Sequence, residues 1–105
     1  STAAAVSNPI KVKLKKTTLK ASKKGKSTKL SWSKVNTASG YKIYRATSKN
    51  GKYKLIKTVK GNKTFKYNDK KVCKKTRYYY YVKAYATTNK KQYYSDNSAK
   101  KSVKI

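Results

Sequence analysis

The chain has no histidine, no methionine and no glutamate among its 105 residues, and its two acids are Asp69 and Asp96. Cysteine and proline occur once each and glycine four times. Each shortage excludes something. Without histidine or a second cysteine, a structural zinc site has no usual ligands. The lone Cys73 rules out an internal disulfide and says little about compartment. Acid–base catalysis would fall to the two aspartates, which sit in separate predicted turns and act as a pair only if the fold brings them together. Cys73 as a nucleophile lacks a histidine base, and the competing reading is a loop cysteine of no special role. No particular lysine, asparagine and acid stand out as an isopeptide-forming trio. No apolar run approaches the roughly 20 residues of a membrane span. The expectation is a protein that is not an enzyme, with no catalytic residue, metal or cofactor assigned.

What the chain does have is charge of one sign. Twenty-eight lysines with Arg45 and Arg77 give a formal net charge of +28. Such a balance repels itself and attracts polyanions. It does not imply disorder, because 11 tyrosines, Trp32, Phe65 and many Val, Ile and Leu recur at regular spacing. A folded chain of this size exposes roughly 6,000 Å², which leaves each net charge about 210 Å² and a neighbour about 15 Å away. The Debye length at physiological salt is about 8 Å, so the shell is tolerable there and strained at low salt. Lysine is a hydrated point charge, whereas arginine suits bidentate recognition; the composition favours diffuse attraction over base reading.

Residues 1–9 (STAAAVSNP) lack lysine and read as a linker, with the domain spanning 10–105. The start at Ser1 without methionine reads as a piece of something longer. Ile10, Val12 and Leu14 alternate with lysines at the period of a β-strand, and Leu19 and Ala21 continue weakly. SKKGKS turns at Gly25. Leu30 and Trp32 alternate with serines, and Tyr41 and Ile43 with Lys42 and Tyr44. Asn50-Gly51 is the sharpest hairpin signal, leading into a return strand from Tyr53 to Val59 whose register is ambiguous because Leu55 and Ile56 are adjacent. Gly61-Asn62 turns again, a short strand covers Thr64 to Tyr67, and the longest strand runs from Arg77 to Thr87. Asn89 begins another turn before Tyr93-Tyr94, and Ser98 to Ile105 ends the chain. No segment holds helical spacing over ten residues. About seven short strands with frequent turn signals predict an all-β, seven-stranded sandwich.

Leu30-x-Trp32, then Gly40-Tyr41-Lys42-Ile43-Tyr44-Arg45, then Thr76-Arg77-Tyr78-x-Tyr80-x-Val82-x-Ala84 resemble a fibronectin type III domain, an immunoglobulin-like fold. The wording is closest to versions from bacterial, mostly Firmicute, surface and secreted proteins. The resemblance spans roughly residues 10–105. It implies that Trp32 is the core tryptophan of the second strand and Tyr78 the tyrosine corner, its hydroxyl returning to the backbone near Val72. The family's leucine and Pro-Gly in that corner are replaced by Val72-Cys73-Lys74-Lys75. The family also carries mixed-sign surfaces, so the near absence of acids is a departure.

If Tyr78, Tyr80, Val82 and Ala84 face the core, Arg77, Tyr79, Tyr81, Lys83 and Tyr85 face out. The outward positions of the preceding strand are Lys42 and Tyr44. One sheet face then presents Tyr44, Tyr79 and Tyr81 among Lys42, Arg77 and Lys83. Aromatics interleaved with cations suit stacking on sugars or bases while the charges hold carboxylates or phosphates. The competing reading is structural: strands favour tyrosine, cross-strand pairs stabilise sheets, and lysines protect edges. The lysines occur as scattered doublets without a basic tail, and no helix-turn-helix, RNA-recognition or zinc-finger pattern is present. Asn62-Lys63-Thr64 matches the glycosylation sequon, which a bacterial origin leaves idle.

The functional expectation is an extracellular or surface module, monomeric in isolation, acting as spacer and electrostatic anchor to anionic polymers such as teichoic acid or acidic glycans. The alternatives are an adhesion or nonspecific nucleic-acid-binding module, or a supercharged engineered type III scaffold.

Overall fold

The computed structural model describes residues 14–105, which form eight β-strands and their connections, with no helix among them. The expected linker (1–9) and the alternating positions Ile10 and Val12 lie outside the described residues. Leu14 is buried ahead of the first strand. The strands are β1 (Leu19–Lys24), β2 (Ser27–Trp32), β3 (Gly40–Ala46), β4 (Lys54–Lys60), β5 (Lys66–Asp69), β6 (Arg77–Thr88), β7 (Lys91–Tyr94) and β8 (Lys101–Lys104).

Two antiparallel sheets pack face to face. The smaller has the order β1-β2-β5, the larger β4-β3-β6-β7, with β8 also on β6. The alternating residues supply the filling between them. Leu19, Leu30 and Trp32 come from the small sheet; Tyr41, Ile43, Tyr80, Val82 and Ala84 come from the large one. Each fully buried Leu, Ile or Val side chain contributes about 1.5–3 kcal/mol. Tyr41 is wholly buried, and its hydroxyl accepts from the Val35 N–H at 2.9 Å and donates to the Asn62 carbonyl at 3.0 Å. A large apolar ring thus enters the core without an unpaired hydroxyl.

The strand count departs from the expected seven for a physical reason. β3 pairs with one side of β6, and both β7 and β8 pair with the other. They are two halves of one edge strand, interrupted at 95–100. Across the interruption, Ser95 and Ser98 donate their N–H groups to the carbonyls of Ala84 and Val82, each at 2.9 Å. Their hydroxyl oxygens accept the N–H groups of the same two residues, also at 2.9 Å. Serine side chains replace the missing backbone acceptors, so no buried amide of β6 is orphaned there.

The expected hairpin at Asn50-Gly51 is present, since β3 and β4 pair antiparallel on either side of it. The β3–β4 connection is seven residues long, 47–53, and Gly51 closes a turn by donating to the Ser48 carbonyl at 3.1 Å. The two-residue hairpin of this sheet joins β6 to β7 through Asn89 and Lys90, with φ of 52° and 67°. Two consecutive left-handed residues define a type I′ turn, which matches the strand twist. Gly25, at φ 60°, opens the β1–β2 turn as expected. The ambiguity at Leu55 and Ile56 is resolved by a bulge between Ile43 and Tyr44, where the partner register skips Ile56. The extra residue lets Ile56 reach the core while Leu55 stays 46% exposed.

Candidate functional site

Trp32 and Tyr78 are both buried. Trp32, at the end of β2, meets the Tyr41 ring edge-on with centroids 5.5 Å apart. Its indole N–H has no partner among the described residues. The Tyr78 hydroxyl accepts from the N–H of Cys73 at 2.7 Å, one residue beyond the expected Val72. The corner closes without Pro-Gly because Lys75 takes a left-handed conformation, φ 61°. Cys73 is a free, exposed thiol.

The two acids have different surroundings. Asp69, on β5, is 2% exposed and forms an ion pair with Arg45 of β3 at 2.8 Å. Arg45 Nη1 reaches both carboxylate oxygens, the Lys71 N–H donates to Oδ1 at 3.2 Å, and the Tyr80 hydroxyl donates to Oδ2 at 2.8 Å. The cluster pins the two sheets together. Partial burial works against the Arg45 charge, but the hydrogen bond and charge of Asp69 outweigh it and raise its pKa. Burial pushes the Tyr80 phenol far above its ordinary 10.0; Asp69 adds to this and Thr28 and Arg45 oppose it. Asp96 is exposed between β7 and β8.

On the outer face of the large sheet, Tyr44 and Tyr81 are register partners and stack at 4.8 Å, nearly parallel at 18°. Tyr53 leans on Tyr81 at 5.0 Å. Burial first, then the neighbouring phenols, raises the pKa of Tyr81. Lys83 Nζ lies 5.2 Å from the Tyr44 ring centre and 4.4 Å from that of Tyr94. Lys42, the register partner of Lys83, lies 5.6 Å from Tyr85 and 5.2 Å from Tyr94. The Tyr94 hydroxyl donates to Gln92 Oε1 at 2.6 Å.

The six expected face residues therefore divide. Tyr44, Tyr81, Lys83 and Lys42 join one aromatic–cation cluster. Tyr79, opposite Ala46 and Ser102, is half-buried outside that stack. Arg77 lies at the far end of β6, exposed, donating to Ser102 Oγ at 3.2 Å. Tyr85, expected to be exposed, is 7% exposed. It sits opposite Gly40, and a Cβ there would collide with the Val59 carbonyl and the Tyr85 ring, so glycine lets the ring lie flat across β3. Sequence reasoning missed Tyr53, Tyr94 and Gln92. Tyr53 comes from a loop without periodicity. Gln92 and Tyr94 become recognisable once Asn89-Lys90 is read as a two-residue turn, since that register sets Tyr94 opposite Tyr85.

No protein-family model matches the sequence, and no curated protein does. Solved structures do. A Fn3-like protein from Clostridium thermocellum is 28% identical, with a TM-score of 0.69 over 87% of this chain and 90% of that one. Pectate lyase PelI from Erwinia chrysanthemi, in complex with tetragalacturonic acid, is 23% identical with a TM-score of 0.70. A beta-1,2-glucanase from Parabacteroides distasonis is 19% identical with a TM-score of 0.61. The chain covers 84% and 88% of its own length in these two comparisons, but only 28% and 12% of the enzymes, which share the fold. Strand order, the Tyr78 corner and the clostridial likeness together make this chain a fibronectin type III-like domain.

Proposed function

We propose that the domain is a non-catalytic, strongly cationic module of a bacterial cell-surface or secreted multidomain protein. It serves as a spacer and as an electrostatic anchor to anionic polymers, teichoic acid or acidic glycans. One observation carries this reading: Asp69 is buried against Arg45, so Asp96 is the one side-chain carboxylate left outside to offset the lysines. The solvent-facing field is thus almost purely positive, and it attracts polyanions at long range. The likeness to short segments of two larger glycan-acting proteins supports a place as one module of a longer chain. Among the described residues, no helix is long and apolar enough to cross a membrane.

The test is a binding panel of teichoic acid, heparin, DNA and a neutral glycan at about 150 mM salt. Binding to the anionic polymers and not to the neutral glycan is expected. If about six phosphates are neutralised, affinity drops roughly a thousandfold between about 50 and about 200 mM salt. Absence of binding to every polyanion removes the anchor reading. Equal binding to teichoic acid, heparin and DNA leaves only nonspecific attraction.

A further inference from the structure

Lys42 and Lys83 stand directly opposite each other on β3 and β6, side chains on the outer face. Like charges in that position repel, which makes the arrangement costly without a counter-anion. The two ammonium groups are nonetheless gathered, both within 5.2 Å of the centre of the Tyr94 ring. Lys83 lies near Tyr44 as well, and Lys42 near Tyr85. Most lysines of this surface must lose rotamer freedom when they bind, whereas these two are held by aromatic faces beforehand.

The surroundings add a second kind of recognition. Tyr94 is 46% exposed, an aromatic side chain that solvent reaches even with the two ammonium groups against its ring. The Gln92 side-chain carbonyl accepts from the Tyr94 hydroxyl and Lys42 Nζ, at 2.6 and 3.4 Å. This arrangement leaves the two amide N–H bonds of Gln92 as donors for a ligand. Tyr44 and Tyr81 cover one ring face of each other and are half-buried, whereas Tyr94 is exposed, so Tyr94 is the ring a ligand reaches. A paired cation, an exposed ring and an amide donor on one flat face match a sugar that carries a carboxylate. Its C–H face covers the ring, the carboxylate sits between the ammonium groups, and a hydroxyl accepts from the amide. A phosphodiester chain would use the cations and leave the ring idle.

Resting on the anchor reading above, we propose that Lys42, Lys83, Tyr94 and Gln92 form a subsite for a uronate residue of an acidic polysaccharide. The probe is alginate, with its esterified form and inorganic polyphosphate as comparisons, measured by titration calorimetry against the full chain at about 150 mM salt. Lys42→Gln with Lys83→Gln, and separately Tyr94→Ala, each weaken alginate binding about tenfold. Lys29→Gln with Lys66→Gln, which removes the same charge from the opposite sheet, changes it less than about twofold. Esterification abolishes the difference between the variants, and Tyr94→Ala leaves polyphosphate affinity unchanged. Unaltered melting temperatures keep the comparison free of folding effects. If both lysine pairs cost the same, or Tyr94→Ala costs nothing, there is no uronate subsite and the diffuse anchor stands. If the wild-type chain binds neither alginate nor polyphosphate, the anchor reading fails with it.

Discussion

The hydroxyl of Tyr80 lies 2.8 Å from Asp69 Oδ2 and 2.9 Å from Thr28 Oγ1, on a residue with no exposed surface. Replacing it with phenylalanine leaves two buried polar partners short of a hydrogen bond, at a cost of about 1–3 kcal/mol at neutral pH. The same phenol carries a pH signature. Its pKa in the folded chain is raised from 10.0, so the folded state keeps a proton that the unfolded state releases. The contribution is complete below about pH 10 and declines as pH rises above it toward the folded value. Urea titrations at several alkaline pH values should show a shallower decline for Tyr80→Phe than for wild type; equal slopes would assign the loss to other groups. Lys75 offers the opposite case. Its φ of 61° places a Cβ in a conformation costing about 1–2 kcal/mol, and Lys75→Gly should raise stability by about 1 kcal/mol with the Tyr78 corner intact. Sequence reading located this corner from Thr76-Arg77-Tyr78, but not the buried Asp69 cluster, because an aspartate after an asparagine reads as a turn.

At the scale of elements, the divided edge of β7 and β8 depends on two serine hydroxyls. Ser98 accepts the Val82 N–H at the centre of the large sheet, where water does not reach. Ser98→Ala should cost about 1–3 kcal/mol, while Ser102→Ala, on the exposed arm of the same edge, should cost under about 0.5 kcal/mol. Chemical denaturation of the two variants provides the check, and equal losses would deny the serine its place in the ladder. The strands themselves were readable from alternation, since Leu30 and Trp32, or Tyr41 and Ile43, fall on one face at a period of two. Turn types were less readable. Asn50-Gly51 has the composition of a two-residue turn, yet it lies inside a seven-residue connection. Asn89-Lys90 has the tight geometry with a lysine where glycine is usual.

Across the whole molecule, self-repulsion at a net charge of +28 is the largest electrostatic force opposing the fold. Screening weakens it as the Debye length shortens from about 30 Å to about 8 Å between roughly 10 and 150 mM salt. The melting temperature should therefore rise with sodium chloride over that interval; a flat or falling trend would show that the lysines are too far apart to strain the fold. By itself the sequence determined the sheet class, the core positions and the sign of the surface field, because strand periodicity and net charge are sums over local residues. The tertiary structure alone decided which charges matter. It buried Asp69 against Arg45, moved Tyr85 under cover through Gly40, left Arg77 at a distant end, and brought Tyr94 beside Lys42 and Lys83. Those outcomes depend on cross-strand register, and register is fixed by turns and bulges far along the chain from the residues they bring together.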